Sequence, residues 1–188
     1  MRKLLKNKKA LSTAVASLIL LVAGVLLAGV GSTFALNIAG SRIQQEDMYL
    51  SNVAVWYKNT TSSLGSLLVT NTGETDIVLN KVTVKGQEST WNGTETYVLF
   101  TKVEGVLSAN IEYVSNFNQT GSNSLNLDGV QYDFTVVSEN LILQPGWTML
   151  FFIVNPGNLI VYDVGTPARV TISTGQSLYA TETIVKAV

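Results

Sequence analysis

Apolar and polar positions follow two different rules along this chain. From Ala10 to Ser41 no charged residue interrupts the sequence, and Leu11 to Leu36 is dominated by Leu, Val, Ala, Ile and Gly. A helix over that stretch, at about 1.5 Å per residue, reaches roughly 39 Å against about 30 Å of bilayer hydrocarbon. The run predicts one apolar helix of membrane-spanning length. Past Arg42-Ile43-Gln44-Gln45-Glu46-Asp47 the rule changes to a period of two. Ala109-Asn110-Ile111-Glu112-Tyr113, Tyr132-Asp133-Phe134-Thr135-Val136 and Val170-Thr171-Ile172-Ser173 alternate apolar with polar, which predicts half-buried strands. Met149-Leu150-Phe151-Phe152-Ile153-Val154 is apolar at every position and predicts a strand buried on both faces.

Turn signals at hairpin spacing separate these segments. Asn71-Thr72-Gly73-Glu74, Asp128-Gly129, Pro145-Gly146 and Gly175-Gln176 predict reversals, and Asn155-Pro156-Gly157-Asn158 is expected to separate two apolar strands. No second amphipathic helix is evident. The expected fold class is α+β: a long N-terminal hydrophobic helix followed by an antiparallel β-sandwich domain, immunoglobulin-like in plan. The expected organisation is a basic tip over residues 1–10, the hydrophobic helix over 11–42 and the β domain over 43–188.

Charge gives this arrangement a direction. Five of the twelve basic residues, Arg2, Lys3, Lys6, Lys8 and Lys9, precede the apolar run, and the chain beyond Ala10 carries a net charge of −6. A basic tip before an apolar span stays cytoplasmic, so the β domain is expected outside. An acidic outer part is a poor match for nucleic acid. Only 13% of the 188 residues are charged, and Cys and His are both absent. Without these two residue types there is no disulfide framework, no thiolate nucleophile, no Ser-His-Asp constellation and no common metal-ligand set. No cofactor, metal or catalytic residue is expected, and the chain is read as structural rather than enzymatic.

Three fates are open to the apolar segment: a secretory signal cut near Ser32-Thr33-Phe34-Ala35, an uncleaved anchor, or a helix kept after a cut before the apolar run. The first fits poorly, since the run far exceeds the 7–15 residues of an ordinary signal core. Lys8-Lys9-Ala10-Leu11-Ser12, a short basic leader abutting the helix, resembles a class III signal peptide of the archaeal type IV pilin and archaellin superfamily. The resemblance covers about a fifth of the chain. It implies cleavage between Ala10 and Leu11, with Lys9, Ala10 and Leu11 as the recognition residues. Bacterial type IV pilins carry Glu at mature position five; this chain has Val15 there, as the apolar archaeal helices do.

What the resemblance implies is a subunit of a surface filament, held in the cell membrane as precursor and extracellular when mature, with adhesion as its role. Its implied partners are copies of itself, a prepilin peptidase, an assembly ATPase and a membrane platform protein. Small residues interleaved with Leu, Val and Ile, namely Ala14, Ala23, Gly24, Ala28, Gly29 and Gly31, are candidates for close helix packing. The competing reading is a single-pass anchored β ectodomain, similar to archaellum-stator or surface-layer-associated proteins.

Three sequons, Asn59-Thr60-Thr61, Asn92-Gly93-Thr94 and Asn118-Gln119-Thr120, fall in polar stretches and make Asn59, Asn92 and Asn118 candidates for N-linked glycans. Asp128, Asp133 and Asp163 could suggest a cation site, but Asp128-Gly129 is more simply a hairpin turn and no EF-hand pattern is present. Trp91, flanked by Thr90 and Asn92, is the tryptophan expected at the surface and a candidate for adhesion.

Overall fold

The computed structural model describes residues 8–43, 46–104, 107 and 110–188. The basic residues Arg2, Lys3 and Lys6, with the rest of the leader up to residue 7, lie outside the described residues. Two compact units result, residues 1–44 and 45–188.

The first unit is helix α1, Lys8–Ile43. Ser12–Ile38 is long and apolar enough to cross a membrane, and no part of it is buried. Three of its polar side chains bond back to the helix itself. Ser17 Oγ donates to the Ala14 carbonyl (2.9 Å), Ser32 Oγ to that of Ala28 (2.8 Å) and Thr33 Oγ1 to that of Val30 (2.9 Å). Such back-bonding hides hydroxyls that hydrocarbon would otherwise leave unpaired.

Among its described residues the second unit holds eleven strands: β1 (Met48–Asn59), β2 (Ser62–Asn71), β3 (Ile77–Val84), β4 (Gln87–Ser89), β5 (Tyr97–Val103), β6 (Asn123–Leu127), β7 (Val130–Val136), β8 (Leu141–Leu143), β9 (Thr148–Val154), β10 (Pro167–Thr174) and β11 (Leu178–Ala187). They pair in the order β4-β3-β10-β11-β1-β2-β9-β5-β7-β6, with β8 on β3. Every pair is antiparallel except β1–β11, which is parallel. β11 pairs with a different neighbour along each part of its length. Its residues up to Ile184 pair with β10, and Val185, Lys186 and Ala187 pair with Val55, Trp56 and Tyr57 of β1.

Two apolar clusters explain the sequence pattern. One joins Val55, Leu67, Val69, Phe151 and Ile153 of β1, β2 and β9 to Leu79, Val84, Val170 and Ile172 of β3 and β10. The other lies on the opposite face, where Trp56, Leu68, Leu99, Leu150 and Phe152 meet Ile111, Leu127 and Phe134. Strand β9 therefore has Phe151 in one cluster and Phe152 in the other, which is why it reads as apolar throughout, as expected. In β1 a bulge between Ser51 and Ala54, with Asn52 at φ 48°, changes parity: Met48 and Val55 both reach the first cluster although their spacing is odd.

Two expectations are corrected. The period-two segment ending at Tyr113 is not a strand among its described residues, and Ala109 lies outside them. Its alternation has another cause: Ile111 is buried under the second cluster, with Tyr113, Val114 and Phe117 packed beside it, while Glu112 faces solvent. The segment is a strap over the sheet, without a ladder. Likewise Asn155-Pro156-Gly157-Asn158 does not link two strands. It leads from β9 into a 3-10 turn, Val161–Asp163, whose apolar Ile160, Val161 and Tyr162 are exposed. The Asp128-Gly129 reversal is as expected, joining β6 to β7 with both residues at positive φ (53° and 82°), the geometry of a tight hairpin.

Candidate functional site

Two surfaces of this chain carry candidate residues expected from the sequence. The first is the apolar helix. The Ala10–Leu11 bond and Lys9 lie in its N-terminal turns. Leu20 and Leu27 are each 73% exposed, and a Cβ placed on Gly24, Gly29 or Gly31 meets nothing within 4 Å. The fold of the single chain therefore does not call for glycine there, although glycine in a helix costs about 1 kcal/mol relative to alanine. Ala14, Ala23 and Ala28 are exposed in the same way.

The second surface is one pole of the β domain. Strand β1 runs from Met48 to Asn59, and β2 starts back at Ser62. Leu64 and Tyr97, at the starts of β2 and β5, both pair with Val154 at the end of β9. Strand ends thus converge at the pole remote from Met48. Asn92 forms a bridge with Tyr97, and Tyr97 Oη donates to the Phe117 carbonyl (3.0 Å). Tyr113 Oη and Ser62 Oγ share a 2.8 Å hydrogen bond. These contacts bring all three sequons to this pole, around a cleft of about 210 Å³ lined by Thr61, Ser63, Glu95, Tyr97, Tyr113 and Phe117 among others. Burial pushes the Tyr97 phenol above its ordinary pKa.

The three acceptors differ in setting. Asn59 and Asn118 are exposed, and each accepts a hydrogen bond from the backbone N–H two residues on, at 3.0 Å from Thr61 and 3.2 Å from Thr120. Their sequon hydroxyls lie beside the same oxygens, at 3.1 Å for Thr61 and 3.4 Å for Thr120. Asn92 is also exposed, but its Oδ1 accepts from Gln119 Nε2 (2.9 Å) instead.

Other candidates disperse. Asp128 and Asp133 are exposed on the β6–β7 hairpin, whereas Asp163 is buried and paired with Lys85. No group of three or more acidic side chains suited to a metal occurs among the described residues. Trp91 is not the freely exposed tryptophan expected from its polar neighbours. It packs half-buried on the first cluster, and its Nε1 donates to the Asn80 carbonyl (2.9 Å). Trp56 is buried, and Trp147 lies under Lys102, whose Nζ sits 3.6 Å from the ring centroid. Sequence reasoning passed over Gln119, since the middle residue of a sequon carries no signal of its own.

No protein-family model matches the chain, and no curated protein matches it. Among solved structures, it is similar in part to the sporulation control protein Spo0M from Bacillus subtilis, with a TM-score of 0.29 and 11% identity over 77% of this chain and 49% of that one. It is similar in the same limited way to a β-glucosidase, EmGH1, from Erythrobacter marinus (TM-score 0.26, 12% identity, 74% of this chain and 15% of that one). A β-glucosidase from Listeria innocua gives a TM-score of 0.26 at 12% identity, over 76% of this chain and 16% of that one. The chain spans about half the length of the first and about a sixth of each glucosidase, and likenesses at these TM-scores carry no argument about fold or function.

Proposed function

We propose that this chain is a filament subunit of the archaeal type IV pilin kind, made as a membrane-inserted precursor. The observation that carries the reading is the helix: Ser12–Ile38 spans 27 residues, holds no charge and buries nothing within its own chain. In water such a surface is untenable, so it belongs in lipid or among other copies of itself. The basic residues ahead of it give the orientation, and the class III resemblance gives the processing step. On this reading a prepilin peptidase cuts between Ala10 and Leu11, and an assembly ATPase with its platform protein draws the helix out of the membrane. Copies then pack through the faces bearing Ala14, Ala23, Gly24, Ala28, Gly29 and Gly31. Moving from lipid to protein changes apolar burial little, so close van der Waals packing must stabilise the polymer.

The outer domain, read as an immunoglobulin-like sandwich, coats the filament and serves adhesion. Supporting that plan are an apolar cluster shared by strands distant in the pairing order and a first strand paired with the last. The role is structural rather than catalytic. N-terminal sequencing by mass spectrometry of the protein from cell-surface filaments tests the reading: a mature start at Leu11 is expected, and a chain retaining Met1 or Arg2 sinks it.

The back-bonded Ser17, Ser32 and Thr33 favour a second reading equally, since they suit permanent residence in lipid. A single-pass β ectodomain would keep its basic tip and never enter a sheared filament fraction.

A further inference from the structure

We propose that the pole remote from Met48 is a two-saccharide cap, in which Asn59 and Asn118 are the modified residues and the Gln119 side chain withholds Asn92. The inference rests on the outward orientation proposed above and not on polymerisation.

N-glycosylation joins the asparagine Nδ2 to the anomeric carbon of a lipid-linked sugar phosphate. The bond from that carbon to the donor phosphate breaks, the phosphate leaves with the electron pair, and Nδ2 gives up one proton. The amide and the hydroxyl two residues on must be read together. At Asn59 the amide oxygen is already held by Thr61 N–H and Oγ1, at 3.0 and 3.1 Å. The acceptor lies in an exposed turn at the end of β1, where Asn59 pairs with Ser62.

At Asn118 the Thr120 N–H and hydroxyl adopt the same arrangement, at 3.2 and 3.4 Å. Its backbone is fixed by the buried Asn123: Asn118 N–H donates to Asn123 Oδ1 (2.7 Å) and Asn123 Nδ2 donates to the Asn118 carbonyl (2.7 Å). A Cβ at Gly121 would stand 3.2 Å from Asn118 Nδ2, so glycine keeps the approach to the acceptor nitrogen open. Both sites are thus ordered before the enzyme arrives, which removes the cost of ordering them on binding.

Asn92 is arranged differently. Gln119 Nε2 bonds both its Oδ1 (2.9 Å) and the Gly93 carbonyl (3.0 Å), while Gly93 N–H is tied to the Thr96 carbonyl (3.0 Å). Among the described residues no hydrogen bond joins Thr94 to Asn92. Reaching the acceptor geometry means breaking the Gln119 bonds. The loop that presents Asn118 therefore also closes Asn92.

The test is glycopeptide mass spectrometry of the full chain expressed in an N-glycosylating archaeal host. The comparison is between the unaltered protein, Gln119→Ala and Gln119→Glu, both of which keep the Asn118 sequon. We expect saccharide on Asn59 and Asn118, with Asn92 about fivefold or more below them, the factor one hydrogen bond of ordinary net strength controls. Both variants should raise Asn92 occupancy by a similar factor and leave Asn59 unchanged. Equal occupancy of Asn92 in the unaltered protein overturns the proposal, as does an Asn92 level unmoved in both variants, or saccharide on none of the three. The same digest reports the N-terminus, so a chain trimmed to Leu11 but bare of sugar separates failure here from failure of the filament reading.

Discussion

Thr174 Oγ1 donates to Glu46 Oε2 across 2.5 Å, joining positions 128 residues apart at the point where the chain enters the β domain. Both residues are buried. The same hydroxyl oxygen accepts from the backbone N–H groups of Gln176 (3.2 Å) and Ser177 (2.9 Å), so it also closes the β10–β11 turn. Tyr179 Oη adds a bond to the Glu46 carbonyl (2.9 Å), and its phenol is held above the ordinary tyrosine pKa, chiefly by burial. Thr174→Val keeps the shape and removes the donor. It leaves a buried carboxylate and two backbone donors without this partner, and the expected loss is about 2–3 kcal/mol in denaturant-induced unfolding. Tyr179→Phe should cost about 1 kcal/mol by the same measurement.

Asp163 gives the β domain an acid-sensitive element. The hydrogen bond from Lys85 is the largest influence on its carboxyl and holds it below the ordinary carboxylate range, with the Ile160 N–H (2.8 Å) adding to the effect and burial opposing it. A carboxyl depressed in the folded state contributes stability in full above its unfolded pKa of about 3.9 and loses it as pH falls through the folded value. Lys85 is over one-third exposed, so solvent screening limits the pair to about 1–2 kcal/mol. The stability difference between the unaltered chain and Asp163→Asn is expected to be full at pH 6 and to shrink below pH 4. A difference independent of pH across that range would show that Asp163 acts through packing alone.

Phe152 holds the second cluster together. Its ring centroid lies 4.7 Å from that of Phe117 on the strap and 5.2 Å from that of Phe134 on β7, and its side chain is fully buried. Phe152→Ala is expected to cost about 3–5 kcal/mol and to release the strap, read as faster amide exchange over residues 110–117. Retained protection there would place the strap's anchorage elsewhere.

On the helix, Gly24→Leu and Ala28→Leu raise apolarity and fill space that the single chain leaves open. Membrane insertion should be unaffected. If copies pack through this face, the yield of sheared filaments should fall at least about tenfold, since overpacking costs about 1–3 kcal/mol per site. Normal filaments from both variants would remove Gly24 and Ala28 from the packing face.

How much of this was legible beforehand depends on the range of the interaction concerned. The helix was, because an uncharged apolar run of that length has no other stable conformation in lipid, and backbone hydrogen bonds within four residues suffice to build it. The Asp128-Gly129 hairpin and the doubly buried β9 were legible for similar reasons: positive φ at adjacent turn residues and a run of apolar side chains are local properties. Residues 110–113 read as a strand but are part of the strap over residues 110–117, because alternation reports which side chains are buried, and packing over a sheet face produces the same alternation as a ladder does.

The sequence by itself determined an apolar helix behind a basic tip, a β-rich remainder without Cys or His, and three sequons in polar stretches. Tertiary structure alone decided that β1 and β11 meet in parallel, that Glu46 is tied to Thr174, and that Gln119 reaches Asn92 rather than solvent. Each of these joins residues at least 27 positions apart. Such contacts depend on the register and curvature of whole strands, and no local pattern of hydrophobicity or turn propensity encodes them.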